Sequence, residues 1–241
     1  MGLGSKPGFW TPAAGGDPYW ANTVLACHFD GSDGSTTITD ATGRHTPAVG
    51  GSAEIDDAQS KFGGASLATP ANTDYLTVPD SADWDFGSGD FTIEFWVRKS
   101  AAWGAYHFFV GQADVYFGSG SWMVQKFGGQ IEFYCTTGGA IGTAIRPRTG
   151  NLTWTAGVWY HIAVTREGDD LKIFRDGVQE NTTYDMAGAS IYAGDSNPLR
   201  LSLANGPLSA NYHLAGHFDD LRITKGVARS ISLPTEPFPT G

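Results

Sequence analysis

From Thr23 onward, apolar and polar residues alternate in short runs. In DFTIEFWVRK, Phe91, Ile93, Phe95 and Val97 fall on one face and Thr92, Glu94 and Trp96 on the other, and this period of two predicts a β-strand. In VWYHIAVTRE the same rule groups Val158, Tyr160, Ile162 and Val164. DLKIFRDG follows closely, so the two segments read as a hairpin turned at Gly168-Asp169-Asp170. Asp176-Gly177 predicts the next tight turn, because glycine accepts positive φ without a Cβ clash. Further predicted strands are TVLACHF, SLAT, DYLTV, YHFFVG, DVYFG, WMVQKF, QIEFYC, LRLSL and HLAGHFDDLRIT, each bounded by Gly, Asp, Asn or Pro. TKGVARS, at 224–230, is the one helix-like piece and amounts to a single turn. Many short strands without a long helix imply an all-β fold, a two-sheet antiparallel β-sandwich.

Hydrophobic residues make up 41% of the 241 positions and charged residues 17%, so the chain can build a sizeable core and is too apolar for disorder. Residues 1–22, rich in Gly and Pro, read as an extended arm whose aromatics, Phe9, Trp10, Tyr19 and Trp20, need something to lie against. Residues 23–233 form the sandwich, and 234–241, with three prolines, an extended strap. The net charge of −10 argues against nucleic acid, whose binding needs clustered Lys and Arg; a cationic partner or Ca2+ suits it better. Cys27 and Cys135 sit in apolar runs, where a buried free thiol is commoner than a bridge. No apolar run approaches the ~18 residues of a membrane span, and MGLGSKPGFW lacks the basic and apolar regions of a secretion signal.

Five stretches occur together in order: CHFDG at 27–31, SKFGGASL at 60–67, DYLTVPDSADWDFGSGDFTIEFWVR at 74–98, WYHIAVTREGDDLKIFRDGV at 159–178 and HFDDLRITKGVAR at 217–229. Over about residues 23–238 they resemble the laminin G-like family, which implies a concanavalin A-like jelly roll. Trp96 and Trp159 then read as core aromatics and His161 as a structural, hydrogen-bonded histidine. The resemblance also implies one structural Ca2+, held by Asp30 and Asp219, with Asp33 available from the same loop and carbonyls completing the six to eight oxygens that the ion takes. The alternative is that Asp30-Gly31 is a turn and that Asp219 and Asp220 accept strand-end amides. The opening GDPYWANTVLACHFDG, joined to KFGGASL and DDLRITKGVAR, resembles laminin G-like proteins of tailed bacteriophages. That implies a virion component assembled in the host cytoplasm: a capsid decoration, fibre or tail protein, homo-oligomeric or particle-bound. Its arm would contact other virion proteins, and its domain a protein or a host surface glycan, with neither nucleic acid nor membrane as partner.

Enzymatic readings fare worse. Retaining glycosidases of this fold place acids as E-x-D-x-x-E, and the nearest match is Glu54, Asp56 and Gln59, where Gln cannot donate a proton. It falls in the loop leading to SKFGGASL. Glu94 and Glu132 stand singly and read as solvent-facing or salt-bridged. No G-x-S-x-G elbow occurs, and His107, His161, His213 and His217 lack zinc-ligand spacing. Sandwich lectins engage sugars through loop aromatics and a few amides. The candidates are Trp103, Tyr106, Trp122, Tyr192 and Tyr212, with Asn205 and Asn211; the same rings would also serve as anchors between subunits. A carbohydrate-binding module of a bacterial surface or secreted system is therefore the second reading, and a glycoside hydrolase a distant third.

Overall fold

The computed structural model describes residues 16–113, 120–205 and 212–241. Among the described residues the strands form two antiparallel sheets, one of nine strands and one of seven. The nine-stranded sheet runs β13 (Val178–Gln179), β12 (Asp170–Arg175), β11 (Trp159–Glu167), β6 (Phe91–Arg98), β16 (Gly216–Lys225), β4 (Ser66–Thr69) and β3 (Glu54–Asp56). Off this path, β1 (Thr23–Cys27) pairs with β16 and β14 (Tyr184–Asp185) with β12. The seven-stranded sheet runs β10 (Ala144–Ile145), β9 (Gln130–Thr136), β8 (Trp122–Phe127), β7 (Tyr106–Gly111), β15 (Leu199–Leu201), β5 (Tyr75–Val78) and β2 (Ala48–Gly50). This is the expected sandwich. DVYFG lies outside the described residues. TKGVARS is not a helical turn: β16 runs through Lys225, Gly226 turns at φ +84°, and the chain then runs extended. Glu54–Asp56 is an edge strand rather than a loop.

The alternation in β6 does what the pattern predicts: Phe91, Ile93, Phe95 and Val97 are fully buried between the sheets. Facing them, Phe109, Trp122, Val124 and Phe133 fill the gap from the seven-stranded sheet. Phe86 stacks on Phe91 at 4.3 Å and lies 5.1 Å from Trp122, whose indole N–H donates to the Trp84 carbonyl at 3.0 Å. Such ring pairs contribute about 0.5–1.5 kcal/mol each beyond the area they bury. Cys27 and Cys135, on opposite sheets, are buried free thiols, and burial pushes Cys135 up to about 12.

Two backbone devices decide what lies over the nine-stranded sheet. The β12–β13 turn uses Asp176 and Gly177 at φ +53° and +80°. A Cβ on Gly177 would stand 2.4 Å from the Leu233 nitrogen, so only glycine lets the C-terminal segment pass here. In β16 the register against β6 shifts by one residue between Asp219, opposite Trp96, and Arg222, opposite Glu94. Asp220 takes φ +48° in this bulge, where the partner of β16 changes from β4 to β1. The bulge sends Asp219 and Asp220 to different partners.

Outward from this sheet, Arg222 bonds Glu94 at 2.7 and 2.9 Å, and Asp17 accepts from Arg222 at 3.3 Å and from both terminal nitrogens of Arg229 at 2.8 and 2.6 Å. Phe238 of the strap lies over Arg222, 4.0 Å from ring centre to guanidinium, and its N–H donates to Asp220 at 2.7 Å. Residues 16–22 thus pack on the sheet of their own domain. Asp17 is buried, Trp20 is half-buried, and Tyr19 is 41% exposed with its ring under Arg229. Phe9 and Trp10 lie outside the described residues. Trp96, read as a core aromatic, is buried, yet on this outward face beneath Phe62 and Lys61; Trp159 is only half-buried.

Candidate functional site

The outward face of the seven-stranded sheet is arranged in rows by strand register. Tyr106 of β7 lies opposite Phe127 of β8, and Phe108 opposite Gln125, which is opposite Glu132 of β9. Arg148, just beyond β10, bridges to Glu132. In the next row Met123 lies opposite Tyr134. Phe108, Met123 and Tyr134 form a second apolar cluster with Ala113 and Ala204, against which Tyr212 packs.

At the rim of this cluster Tyr106, 39% exposed, sits 5.0 Å from Phe127 and 5.5 Å from Tyr212. The Arg148 guanidinium lies over Phe127 at 4.1 Å, and exposed Arg146 over Tyr134 at 4.9 Å. Beneath them Glu132 is fully buried, accepting from Arg148 Nε and from Gln125 Nε2 at 2.6 Å, while Gln125 Oε1 is buried without a partner. Tyr106 is held from below. His107 Nδ1 donates to the His213 carbonyl at 2.9 Å, and its Nε2 accepts the Gly104 N–H at 2.8 Å. Burial, helped by the nearby charge of Lys99, lowers both His107 and His213 to about 4.

Of the predicted binding residues, Tyr106 and Tyr212 come together here. Trp122 is a correction: it lies inside β8 with no exposed surface, because its position faces the other sheet. Asn205 is also buried, and its amide donates to the carbonyls of Gln112 and Pro198 at 3.1 and 3.2 Å. Trp103 packs against Trp154 at 4.7 Å and donates to the Thr155 carbonyl, which closes one end of the main core. Tyr192 lies elsewhere: its N–H donates to Thr136 O at the end of β9, and its hydroxyl to Gly194 O. Asn211 lies outside the described residues. The sequence reading missed Phe127, Arg146 and Arg148; spacing alone did not show that their strands share a face with Tyr106.

A second cluster surrounds the bulge of β16. Asp219 Oδ2 accepts the backbone N–H groups of Lys61 and Phe62 at 2.7 and 3.1 Å, while Oδ1 is buried with no partner. Burial, together with the charges of Asp220 and Asp30, raises Asp219 to about 7. The Asp30 carboxylate packs against Gly63, where a Cβ would clash with it, so Asp30 and Asp219 converge on the turn at 61–63. Asp220 instead bonds His28 Nδ1 at 2.5 Å and the Phe238 N–H. Two converging carboxylates and an orphaned oxygen fit a hard cation. Asp33 departs from the predicted set: its carboxylate groups with those of Asp56 and Asp57, all within 4.8 Å.

Glu94 and Glu132 are salt-bridged, as one of the two readings held, and neither faces solvent. Burial pushes Glu94 up, but His161 Nε2, 3.6 Å away, and Arg222 hold it below the usual carboxylate value. At that separation the His161 ring makes no hydrogen bond, and its Nδ1 is likewise buried without a partner, contrary to the expected hydrogen-bonded histidine. Glu54 and Asp56 point outward on β3 with Ile55 inward, and Asp56 bonds His217 at 2.9 Å.

The chain belongs to the Laminin_G_3 family of the concanavalin A-like lectin/glucanases superfamily, which matches residues 70–230. No curated protein matches it. Among solved structures it is similar to the binding domain of Paraclostridial Mosquitocidal Protein 1, with 18% identity, TM-score 0.67, and 88% of this chain and 51% of that one covered. It is also similar to domain 4 of AbnA, a GH43 extracellular arabinanase of Geobacillus stearothermophilus solved with arabinotriose, with 17% identity, TM-score 0.64, and 87% and 95% covered. The botulinum neurotoxin serotype D binding domain follows, with 11% identity, TM-score 0.63, and 88% and 50% covered. The chain spans about half the length of the mosquitocidal and neurotoxin domains. At these identities the likeness establishes the fold.

Proposed function

We propose that this domain is a non-catalytic carbohydrate-binding module whose ligand lies on the outward face of the seven-stranded sheet. The observation that carries the reading is the exposed Tyr106, grouped with Phe127 and Tyr212 beside the Arg148–Glu132–Gln125 network. Aromatic faces pack on sugar rings, and fixed polar groups select hydroxyls. The AbnA domain solved with arabinotriose supports it by analogy of fold. Glu132 has both oxygens engaged, by Gln125 and Arg148, so neither is free to meet a glycosidic oxygen. Asp30 and Asp219 would hold one structural Ca2+, which would neutralise the charge now buried at Asp219. The test is binding of the intact protein to a glycan panel in Ca2+: Tyr106→Ala should abolish retention while leaving the melting temperature unchanged. Undiminished retention in that variant would refute the assignment.

A finer reading is that the module is a tailed-phage virion component attached through its N-terminal residues, and the position of residue 16 bears on the side of that attachment. A Cβ on Gly16 would stand 2.5 Å from Gly241, and Asp17 is pinned to Arg222, so residue 16 lies on the nine-stranded sheet, opposite the aromatic rim. Attachment on one side leaves the other free for ligand. Removing residues 1–15, which spares Asp17, should abolish incorporation into the particle and preserve glycan binding; normal incorporation would end that reading.

A further inference from the structure

We infer that the ligand of this face is an acidic saccharide, one bearing carboxylate or sulfate groups; the inference rests on the glycan-binding reading above. The argument is charge. The protein carries −10 overall, yet the outward positions of β5, β7, β8, β9 and β15 and of segment 144–148 include one carboxylate, Glu132, against three guanidiniums. Each guanidinium lies over a ring: Arg148 over Phe127, Arg146 over Tyr134 and Arg200 over Tyr75, at 4.1, 4.9 and 4.3 Å.

The three arginines are not equivalent. Arg148 is neutralised by Glu132 and fixed by it. Arg146 and Arg200 have no carboxylate partner among the described residues, and Arg200 Nε is buried without a hydrogen-bond acceptor. Arg146 is exposed and stands one strand from Glu132 and Tyr134, at the edge of the site. A guanidinium held over a ring has more N–H groups than the ring engages, so it can meet a carboxylate or sulfate with charge-assisted bonds while the ring beneath limits its freedom. A neutral sugar would leave that charge unused. On the opposite face Arg222 and Arg229 are bound to Glu94 and Asp17.

The experiment measures binding of the full chain to immobilised alginate, polygalacturonate and heparin, with dextran and linear arabinan as neutral controls, at low and high NaCl. Retention on at least one acidic polymer, weakened by salt, is expected, with little on the neutral ones. Arg146→Gln should lower that affinity by about tenfold, the loss of one charge-assisted contact, and Arg146→Lys should lower it less. Arg98→Gln, on the other sheet, should change nothing. Equal binding to neutral and acidic polymers with no effect of Arg146→Gln would overturn the inference and leave the glycan-binding reading intact. Failure to bind any glycan would overturn both. Because Arg146 is exposed, an unchanged melting curve of Arg146→Gln separates loss of contact from loss of fold.

Discussion

The two outward faces of this sandwich carry similar residues and meet different fates. Over the nine-stranded sheet, Glu94, Arg222, Asp17 and Arg229 form a closed set of ion pairs, and the chain's own Phe238 and residues 61–62 lie on top. On the seven-stranded sheet, Glu132 and Arg148 also pair, but the ring of Tyr106 and the guanidinium of Arg146 remain at the surface. The same chemistry is used as structure where the chain covers it and becomes a binding surface where it does not.

The largest effect is expected where coverage is complete. Arg222→Ala should lower stability by about 3–5 kcal/mol in urea unfolding, because Glu94 would be left buried without its main partner and Asp17 would lose one of two cations. Arg146→Ala, its counterpart on the open face, should fall within about 0.5 kcal/mol of the parent. Comparable losses from the two would mean that the faces do not differ as described.

Acid should come next. His107 and His213 titrate near 4 when folded and at about 6.5 when unfolded, so the unfolded chain takes up protons first. Their contribution is fully present above pH 6.5 and is lost as pH falls toward 4, by at most roughly 3 kcal/mol per histidine. Melting temperature against pH should show this decline, and His107→Gln should flatten it. A smaller change is expected from Ca2+: after chelation, millimolar Ca2+ should raise the melting temperature, and Asp219→Asn should remove that gain. Melting that ignores Ca2+ would leave Asp219 as an acceptor of turn amides and Asp30 packed against Gly63.

These contrasts show how much could be read from the residues. The strands of the core were legible, since alternation over Phe91 to Val97 or Tyr160 to Val164 admits one period, and Asp176-Gly177 announced its own turn. Alternation also says that Glu94 and Glu132 face away from the core, but not what lies over them, which depends on where residues 61–62 and 230–239 pass. Trp122 looked like a loop residue because it begins its strand after a glycine- and serine-rich stretch, whereas its register turns it inward. The Asp219-Asp220 pair was visible, but the bulge that separates their partners was not. The rim of the site combines β7, β8, β9 and the segment after β10, and such a juxtaposition is set by pairing rather than by any local motif.

Hydrogen exchange of the intact protein, with and without a saturating acidic glycan from the panel above, tests the central contrast most directly. The account predicts slowed exchange in residues 122–136 and 144–148, with no change around 217–238. Protection confined to the strap and the β16 bulge would place the ligand on the opposite face and contradict it.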